Sequence, residues 1–264
     1  MNSRLKDRLV VITGSSSGIG EKIARIVAES GGHLVLLARR KDRLKKLSDE
    51  LQASHSISCT YYELDVSDLD AVSEVFTDIT ENFDRVDVLV NNAGFGIFRN
   101  AEEATFEEMQ QMFKVNVFGL IAATKLVLPK MLAQREGHII NVASQAGKIA
   151  TPKSSIYSAT KHAVLGFTNS LRMEVADRGI FVTSVNPGPI ETDFFNLADT
   201  SGDYVKNVQR WMLNPEAVAQ KIVSVMLTNK REINMPVWME LGGLVYRLMP
   251  SLFEKVAGNL FRQK

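Results

Sequence analysis

The stretch Leu9-Val10-Val11-Ile12-Thr13-Gly14-Ser15-Ser16-Ser17-Gly18-Ile19-Gly20 decides the fold. Its first half is a short apolar run rich in β-branched residues, the composition of a strand buried on both faces. A helical pattern takes over from Ile19, with Ile23, Ile26 and Val27 on one side, and stops at Gly31-Gly32. The glycines between them have separate tasks. Gly14 permits a tight turn out of the strand, Gly18 removes a Cβ where backbone must approach a pyrophosphate, and Gly20 lets the helix pack close to the sheet. The helix N-terminus adds unpaired N–H groups and the positive end of its dipole. Gly14, Ser15, Ser16, Ser17, Gly18, Ile19 and Gly20 are thus candidate contacts to the phosphates of a dinucleotide. Their spacing is G-x-x-x-G-x-G rather than the commoner G-x-G-x-x-G.

The same alternation runs on down the chain. His33 to Ala38 reads as a second buried strand, followed by a charged helix carrying Leu44, Leu47 and Leu51. Ser58 to Leu64 is a third strand, Asp68 to Phe83 a helix and Val86 to Val90 a fourth strand. A long helical region from about Phe106 to Ala133 precedes a strand from Gly137 to Val142. A helix over Ser155 to Asp177 then precedes a strand from Ile180 to Val185. Short apolar strands alternating with helices predict an α/β fold, a Rossmann-like, doubly wound parallel sheet with helices on both faces. No linker, low-complexity segment or internal repeat divides it, so residues 1–241 read as a single domain.

Composition sets the class. The 264 residues are 45% hydrophobic and 23% charged, with a formal net charge of +1, the balance of a soluble globular protein with no global attraction to nucleic acid. Cys59 is the only cysteine, so no internal disulfide can form and a reducing compartment, the cytoplasm, is expected. Met1 to Arg8 is polar, with Arg4, Lys6, Asp7 and Arg8, and has no signal-peptide apolar region. No uninterrupted apolar run approaches the ~20 residues that span a bilayer. No metal is expected.

Past the second strand, a site that prefers NAD carries Asp or Glu ~20 residues beyond the glycines, to bind the adenosine ribose. This chain has Ala38, then Arg39, Arg40 and Lys41. No carboxylate repels a 2′-phosphate there, and Arg39 can pair with it bidentately, with Arg40 beside it. NADP(H) is therefore expected over NAD(H). Asp65-Val66, after the third strand, is placed to border the adenine.

A second cluster begins at Ile156-Tyr157-Ser158-Ala159-Thr160-Lys161-His162. On a helix Tyr157 and Lys161 share a face. A phenol with its ordinary pKa of roughly 10 holds its proton too tightly for exchange near neutrality. The neighbouring ammonium is expected to lower that pKa and make Tyr157 a usable general acid or base. Ser144, a short way upstream, can hydrogen-bond a carbonyl or alcohol oxygen presented to the same phenol.

Asn91-Asn92-Ala93-Gly94 follows the fourth strand, Asn116 sits in the long helix and Asn186-Pro187-Gly188 follows the sixth strand. With the opening turn, Ser144 and Tyr157-x-x-x-Lys161, this set resembles the short-chain dehydrogenase/reductase family, from about Leu9 to Thr192. The resemblance implies hydride transfer between a nicotinamide and a carbonyl carbon. Tyr157 would be the acid/base, Lys161 would bind the nicotinamide ribose and keep the Tyr157 pKa low, and Ser144 would hold the substrate oxygen. Asn116 would hold a water to Lys161 through its backbone carbonyl in a locally distorted helix. Asn92, Ala93 and Gly94 would line the cofactor, while Pro187, Gly188, Ile190 and Thr192 would bracket the nicotinamide. The resemblance also implies homodimers or homotetramers packed through the helices around Phe106–Ala133 and Ser155–Asp177.

The substrate is expected to be an apolar or lipid-like small molecule. Phe95, Ile97 and Phe98 follow one strand, and Phe194, Phe195, Leu197, Trp211, Met212 and Leu213 fall in a lid over about residues 189–214. A 3-oxoacyl thioester reductase is an alternative, with Arg99 and Lys148 as cations for an acidic carrier protein. A non-catalytic NADP(H)-binding regulator is another. A last strand is expected over Ile233 to Trp238, then Gly242-Gly243. Residues 242–264 read as an amphipathic extension of two short helices, with Pro250 in the first turn of the second. Its stripe of Leu244, Val245, Leu248, Met249, Leu252, Phe253, Val256, Leu260 and Phe261 can serve the chain's own domain, a neighbouring subunit or a membrane interface.

Overall fold

Among the described residues, seven parallel strands form one sheet: β1 (Leu9–Thr13), β2 (His33–Ala38), β3 (Cys59–Glu63), β4 (Val88–Asn91), β5 (Gly137–Val142), β6 (Ile180–Pro187) and β7 (Glu232–Met235). The computed structural model describes residues 2–199, 202–251, 254 and 255. Across the sheet the strands run β3-β2-β1-β4-β5-β6-β7. The chain therefore reverses its direction of travel between β1 and β4, and the crevice at the carboxyl ends of those two strands is where such sheets hold ligands.

Both faces are covered, which is why the strands read as continuous apolar runs. One face packs Val10, Ile12, Leu36 and Val90 against α1 (Gly18–Glu29), α2 (Lys41–Ser54) and α9 (Pro215–Ser224). The other packs Val11, Val35, Leu89 and Ile139 against Phe76 of α3 (Leu69–Asn82), Val127 and Met131 of α5 (Leu120–Gln134) and Leu171 of α6 (Ser155–Glu174). Alternate residues of each strand thus serve opposite layers.

The long helical region is three pieces end to end. α4 (Phe106–Phe113) opens with a capping box between Thr105 and Glu108, a π-helical turn spans Lys114–Gly119, and α5 follows. By length and composition this run is apolar enough to cross a membrane. Its Ala123, Val127 and Met131 are instead buried against α3 and the sheet.

Residues 189–214 contain α7 (Phe194–Ala198) and α8 (Asp203–Val208), and a parallel bridge between Ile190 and Leu213 closes their base. The C-terminal end departs from expectation. β7 stops at Met235, because Pro236 has no N–H to continue the ladder. Val237 and Trp238 begin a helix, α10 (Val237–Leu248), and Gly242-Gly243 lie inside it rather than after a strand. The helical extension thus begins at Val237. A second helical stretch opens at Pro250 and includes Ser251, Glu254 and Lys255. Leu252, Phe253, Val256, Leu260 and Phe261 lie outside the described residues.

Candidate active site

The turn after β1 is built around two glycines in left-handed conformation, Gly14 (φ 68°) and Gly18 (φ 57°). A Cβ on Gly14 would stand 2.8 Å from Ala93 Cα, and one on Gly20 2.4 Å from the Gly14 carbonyl oxygen. Backbone therefore lies on backbone here, where α1 starts at Gly18. Thr13 joins this turn to the loop after β4. Its hydroxyl accepts from the N–H groups of Asn92 and Ala93, both at 3.0 Å. Asn92 returns the link, its Nδ2 donating to the carbonyls of Thr13 and Gly14 at 3.0 and 3.1 Å. Thr13 received no role from the sequence, since a threonine ending a strand reads as an ordinary β-branched residue.

The three serines divide the work. Ser15 is fully buried and donates to the Leu37 carbonyl at 3.3 Å, tying the turn to β2 rather than facing the crevice. Ser16 and Ser17 accept from the Arg40 guanidinium at 2.9 and 2.5 Å. The arginine that reaches the turn is thus Arg40, whereas the sequence pointed first to Arg39; both residues are exposed. Burial, then the like charge of Arg43 and, more weakly, of Arg39, lowers the Arg40 pKa, while Asp193 opposes them. Cations that disfavour one another's charge beside a serine-lined turn form a place where an anion is stabilised. Asp65 spends its carboxylate locally, accepting from the N–H and hydroxyl of Ser67 at 2.9 and 2.7 Å, and Val66 is buried. Thr192 overhangs the turn, its Cγ2 3.6 Å from where a Gly18 Cβ would stand.

Tyr157 and Lys161 project from α6 and are both buried. The Lys161 ammonium lies 5.8 Å from the centroid of the Tyr157 ring and donates to the Val142 carbonyl at 2.9 Å. Burial holds its pKa down at about 8. Burial also pushes the Tyr157 phenol up to about 12, against the lowering effect of a hydrogen bond with Ser144. This differs from the expected lowering by Lys161. Desolvation outweighs the ammonium, which faces the Val142 carbonyl rather than the phenol oxygen. Ser144 follows β5, accepts from Ala146 N–H at 3.1 Å and donates to the Pro187 carbonyl at 3.4 Å.

Asn116 lies in the π-helical turn, buried, with its side chain bonded to both backbone groups of Phe95 and to the Thr160 hydroxyl. Thr160 donates onward to the Tyr157 carbonyl at 2.7 Å. Gly94 sits between these groups, a Cβ there falling 3.1 Å from Asn116 Oδ1 and 3.5 Å from Lys161 Nζ. Pro187 and Gly188 close the far side of Ser144, with Gly188 N–H donating to Met235 at 2.6 Å, while Ile190 is buried in the core.

The walls above Tyr157 are aromatic. Phe98 and Phe194 each approach its ring at 5.8 Å, Tyr204 meets Phe98 at 4.9 Å, and Phe195 joins them. Tyr204 is an addition to the expected set. Trp211 is absent from this cluster and packs on Trp238 of α10 at 5.4 Å. Both cations proposed for a carrier protein are paired: Arg99 with Glu108 at 3.1 Å, and Lys148 with Glu232 and Asn234.

A Rossmann-like sheet with a tyrosine, a lysine, a serine and a glycine turn at its switch point defines a class of oxidoreductases, and comparison with known proteins agrees. The family profile described as short chain dehydrogenase matches residues 8–201. A dehydrogenase/reductase SDR family member 7B of Xenopus laevis is 36% identical over 94% of this chain and 76% of its own. The L-sorbose reductase of Gluconobacter frateurii, solved with NADPH and L-sorbose, superposes with a TM-score of 0.79 at 29% identity, covering 89% of this chain and 97% of that one. An alcohol dehydrogenase of Thermococcus sibiricus, solved with 5-hydroxy-NADP, gives 0.76 at 30% identity, covering 87% and 95%. The chain belongs to the short-chain dehydrogenase/reductase family and is an oxidoreductase of the hydride-transfer type.

Proposed function

We propose that this chain transfers hydride between NADP(H) and the carbonyl or secondary alcohol carbon of an apolar small molecule. The observation that carries the reading is the convergence of Tyr157, Ser144 and Lys161 under an aromatic wall, beside the glycine turn. Two observations support a dinucleotide here: the backbone approaches so closely that a Cβ on Gly14 would collide, and the cation Arg40 reaches the turn with Arg39 beside it, a pairing that suits a 2′-phosphate. NADP(H) is also the cofactor named with the L-sorbose reductase structure, and a hydroxylated NADP with the alcohol dehydrogenase.

In this reading the turn, Asn92 to Gly94, Pro187, Gly188 and Thr192 hold the cofactor, which when bound supplies or accepts the hydride. Tyr157 gives its phenolic proton to the substrate oxygen during reduction. Its burial keeps that proton in place at neutral pH, so the phenol stands ready as an acid. Ser144 hydrogen-bonds the same oxygen and stabilises charge developing on it. Lys161 adds positive charge near the phenol as it gives up its proton, and with a pKa near 8 it can itself exchange one. Asn116 serves the proton path at the π-helical turn. Assembly as a homodimer or homotetramer through α4, α5 and α6 belongs to the same reading, supported by exposed Phe106, Phe118 and Met173.

Aldehydes, ketones and oxoacyl thioesters offered with NADPH test this directly. Oxidation of NADPH is expected with apolar ketones or aldehydes, and much weaker oxidation of NADH. Consumption of neither cofactor across the panel contradicts it.

A further inference from the structure

The helix α10 turns its apolar side to water. Val237, Trp238, Leu241, Leu244, Val245 and Leu248 are all exposed. At ~100° per residue they fall within one arc of about 120°. The opposite side rests on the domain: Met239 Sδ lies 2.9 Å from where a Gly188 Cβ would stand, and Gly243 faces Ile149. A surface helix ordinarily buries its apolar stripe. Here the stripe is the solvent face, and Met249 extends it. Trp238 carries it onto Trp211, itself 46% exposed, with the Arg210 guanidinium 4.8 Å from its ring. Exposed Leu197 lies on α7, the helix that sets Phe194 against Tyr157. Exposed apolar surface such as that of α10 and Trp211 marks an interaction site.

We propose that this face docks on an anionic lipid bilayer, with α10 lying in the interface plane beside the mouth of the active site. Charge distinguishes this occupant from a second copy of the chain. Among the described residues from Val237 onward, Arg247 and Lys255 balance Glu240 and Glu254, and the sequence that follows, residues 256–264, adds Arg262 and Lys264 and no acid. The whole chain is only +1, so its positive excess sits on this segment and the remainder is net negative. Acidic headgroups complement the excess that this segment carries in its sequence, whereas a second copy offers the same excess rather than its complement. Two tryptophans at the edge of an apolar helix also suit the headgroup boundary, where an indole has an apolar body and a polar N–H to satisfy. An apolar substrate dissolved in the bilayer would then meet the aromatic wall without crossing water. Docking does not depend on the reaction assigned above, and either can fail without the other.

Flotation of the full chain with vesicles tests the proposal, using phosphatidylcholine alone and phosphatidylcholine with about a third phosphatidylserine. The comparison protein is the variant Leu241→Ser/Leu244→Ser/Leu248→Ser, whose changes fall on the exposed arc; retained NADPH oxidation with a soluble carbonyl substrate, or an unchanged far-UV spectrum, shows that it folds. The wild-type chain is expected to float with the anionic vesicles, less so at high salt, and the variant at least about tenfold more weakly. Wild-type protein that stays behind with both vesicle types, or floats no better than the variant, overturns the proposal. So does a wild-type chain that ignores vesicles yet sediments as a larger species than the variant, which would assign the face to a second copy.

Discussion

Asn116 holds both backbone groups of Phe95: its Oδ1 accepts from the Phe95 N–H at 3.0 Å, and its Nδ2 donates to the Phe95 carbonyl at 2.8 Å. The same Nδ2 donates to Thr160 at 3.1 Å, and Thr160 donates to the Tyr157 carbonyl. One amide therefore binds the loop after β4, the π-helical turn and the helix that carries the acid. Asn116→Ala leaves part-buried backbone groups of Phe95 without these partners, at about 1 kcal/mol for each bond lost. The expected outcome is a lower denaturation midpoint together with a fall in kcat, read by urea unfolding and steady-state kinetics.

Arg40 reaches Ser16 and Ser17, and Arg39 precedes it in the chain, both residues being exposed. Each of Arg39→Ala and Arg40→Ala is expected to weaken NADPH binding by about tenfold or more while changing NADH binding little, as loss of one charge-assisted contact to a phosphate predicts. Arg40→Ala should have the larger effect. Fluorescence titration with both cofactors measures this, and an equal loss for NADPH and NADH would remove the 2′-phosphate from the account.

The fold was legible because it rests on patterns the chain repeats. Apolar runs such as Leu9–Thr13 and Leu34–Leu37, each followed by a helical stripe, leave one layered solution once both faces of the sheet must be covered. The candidate site was legible where one residue type does one job, as at Gly14 or Tyr157. What stayed hidden depends on three-dimensional neighbours. Thr13 and Thr160 matter for the groups they bridge, and nothing local distinguishes them from other threonines. Lys148 read as a free surface cation until Glu232 and Asn234, far along the chain, met it. Val237-Trp238 looked like strand because β-branched and aromatic residues favour strands. The proline before them instead ended the ladder.

Lys148 anchors the segment after Ser144 to β7 through Glu232, and the pair is partly buried. Lys148→Met leaves the Glu232 carboxylate with only the longer contacts to Arg231 at 3.6 Å and Asn234 at 3.4 Å, so a loss of about 1–2 kcal/mol, between exposed and fully buried pairs, is expected along with a lower kcat. Arg99→Met removes an exposed partner of Glu108, and the expected change is below about 1 kcal/mol. Thermal unfolding of the two variants side by side separates the cases.

His138 is fully buried in β5, with Nδ1 accepting from the Leu227 N–H at 2.9 Å and Nε2 meeting the Thr183 hydroxyl at 2.8 Å. Burial lowers its pKa from 6.5 to about 3. Between those values the unfolded chain binds a proton that the native chain refuses. The stability from neutral His138 is therefore fully present above pH 6.5 and is lost as pH falls toward 3. His138→Gln should flatten the pH dependence of unfolding free energy in that window, by up to about 1.4 kcal/mol per pH unit for one proton. Chemical denaturation at a series of pH values measures it.

The claim on which the rest depends is that Tyr157 supplies the proton. Tyr157→Phe keeps the ring that Phe98 and Phe194 pack against and removes only the hydroxyl. NADPH affinity and kcat, measured on the same preparation, are expected to separate: binding nearly unchanged, and turnover down by at least the ~10²–10⁴-fold typical of general acid–base catalysis. Near-normal turnover in this variant would contradict the assignment.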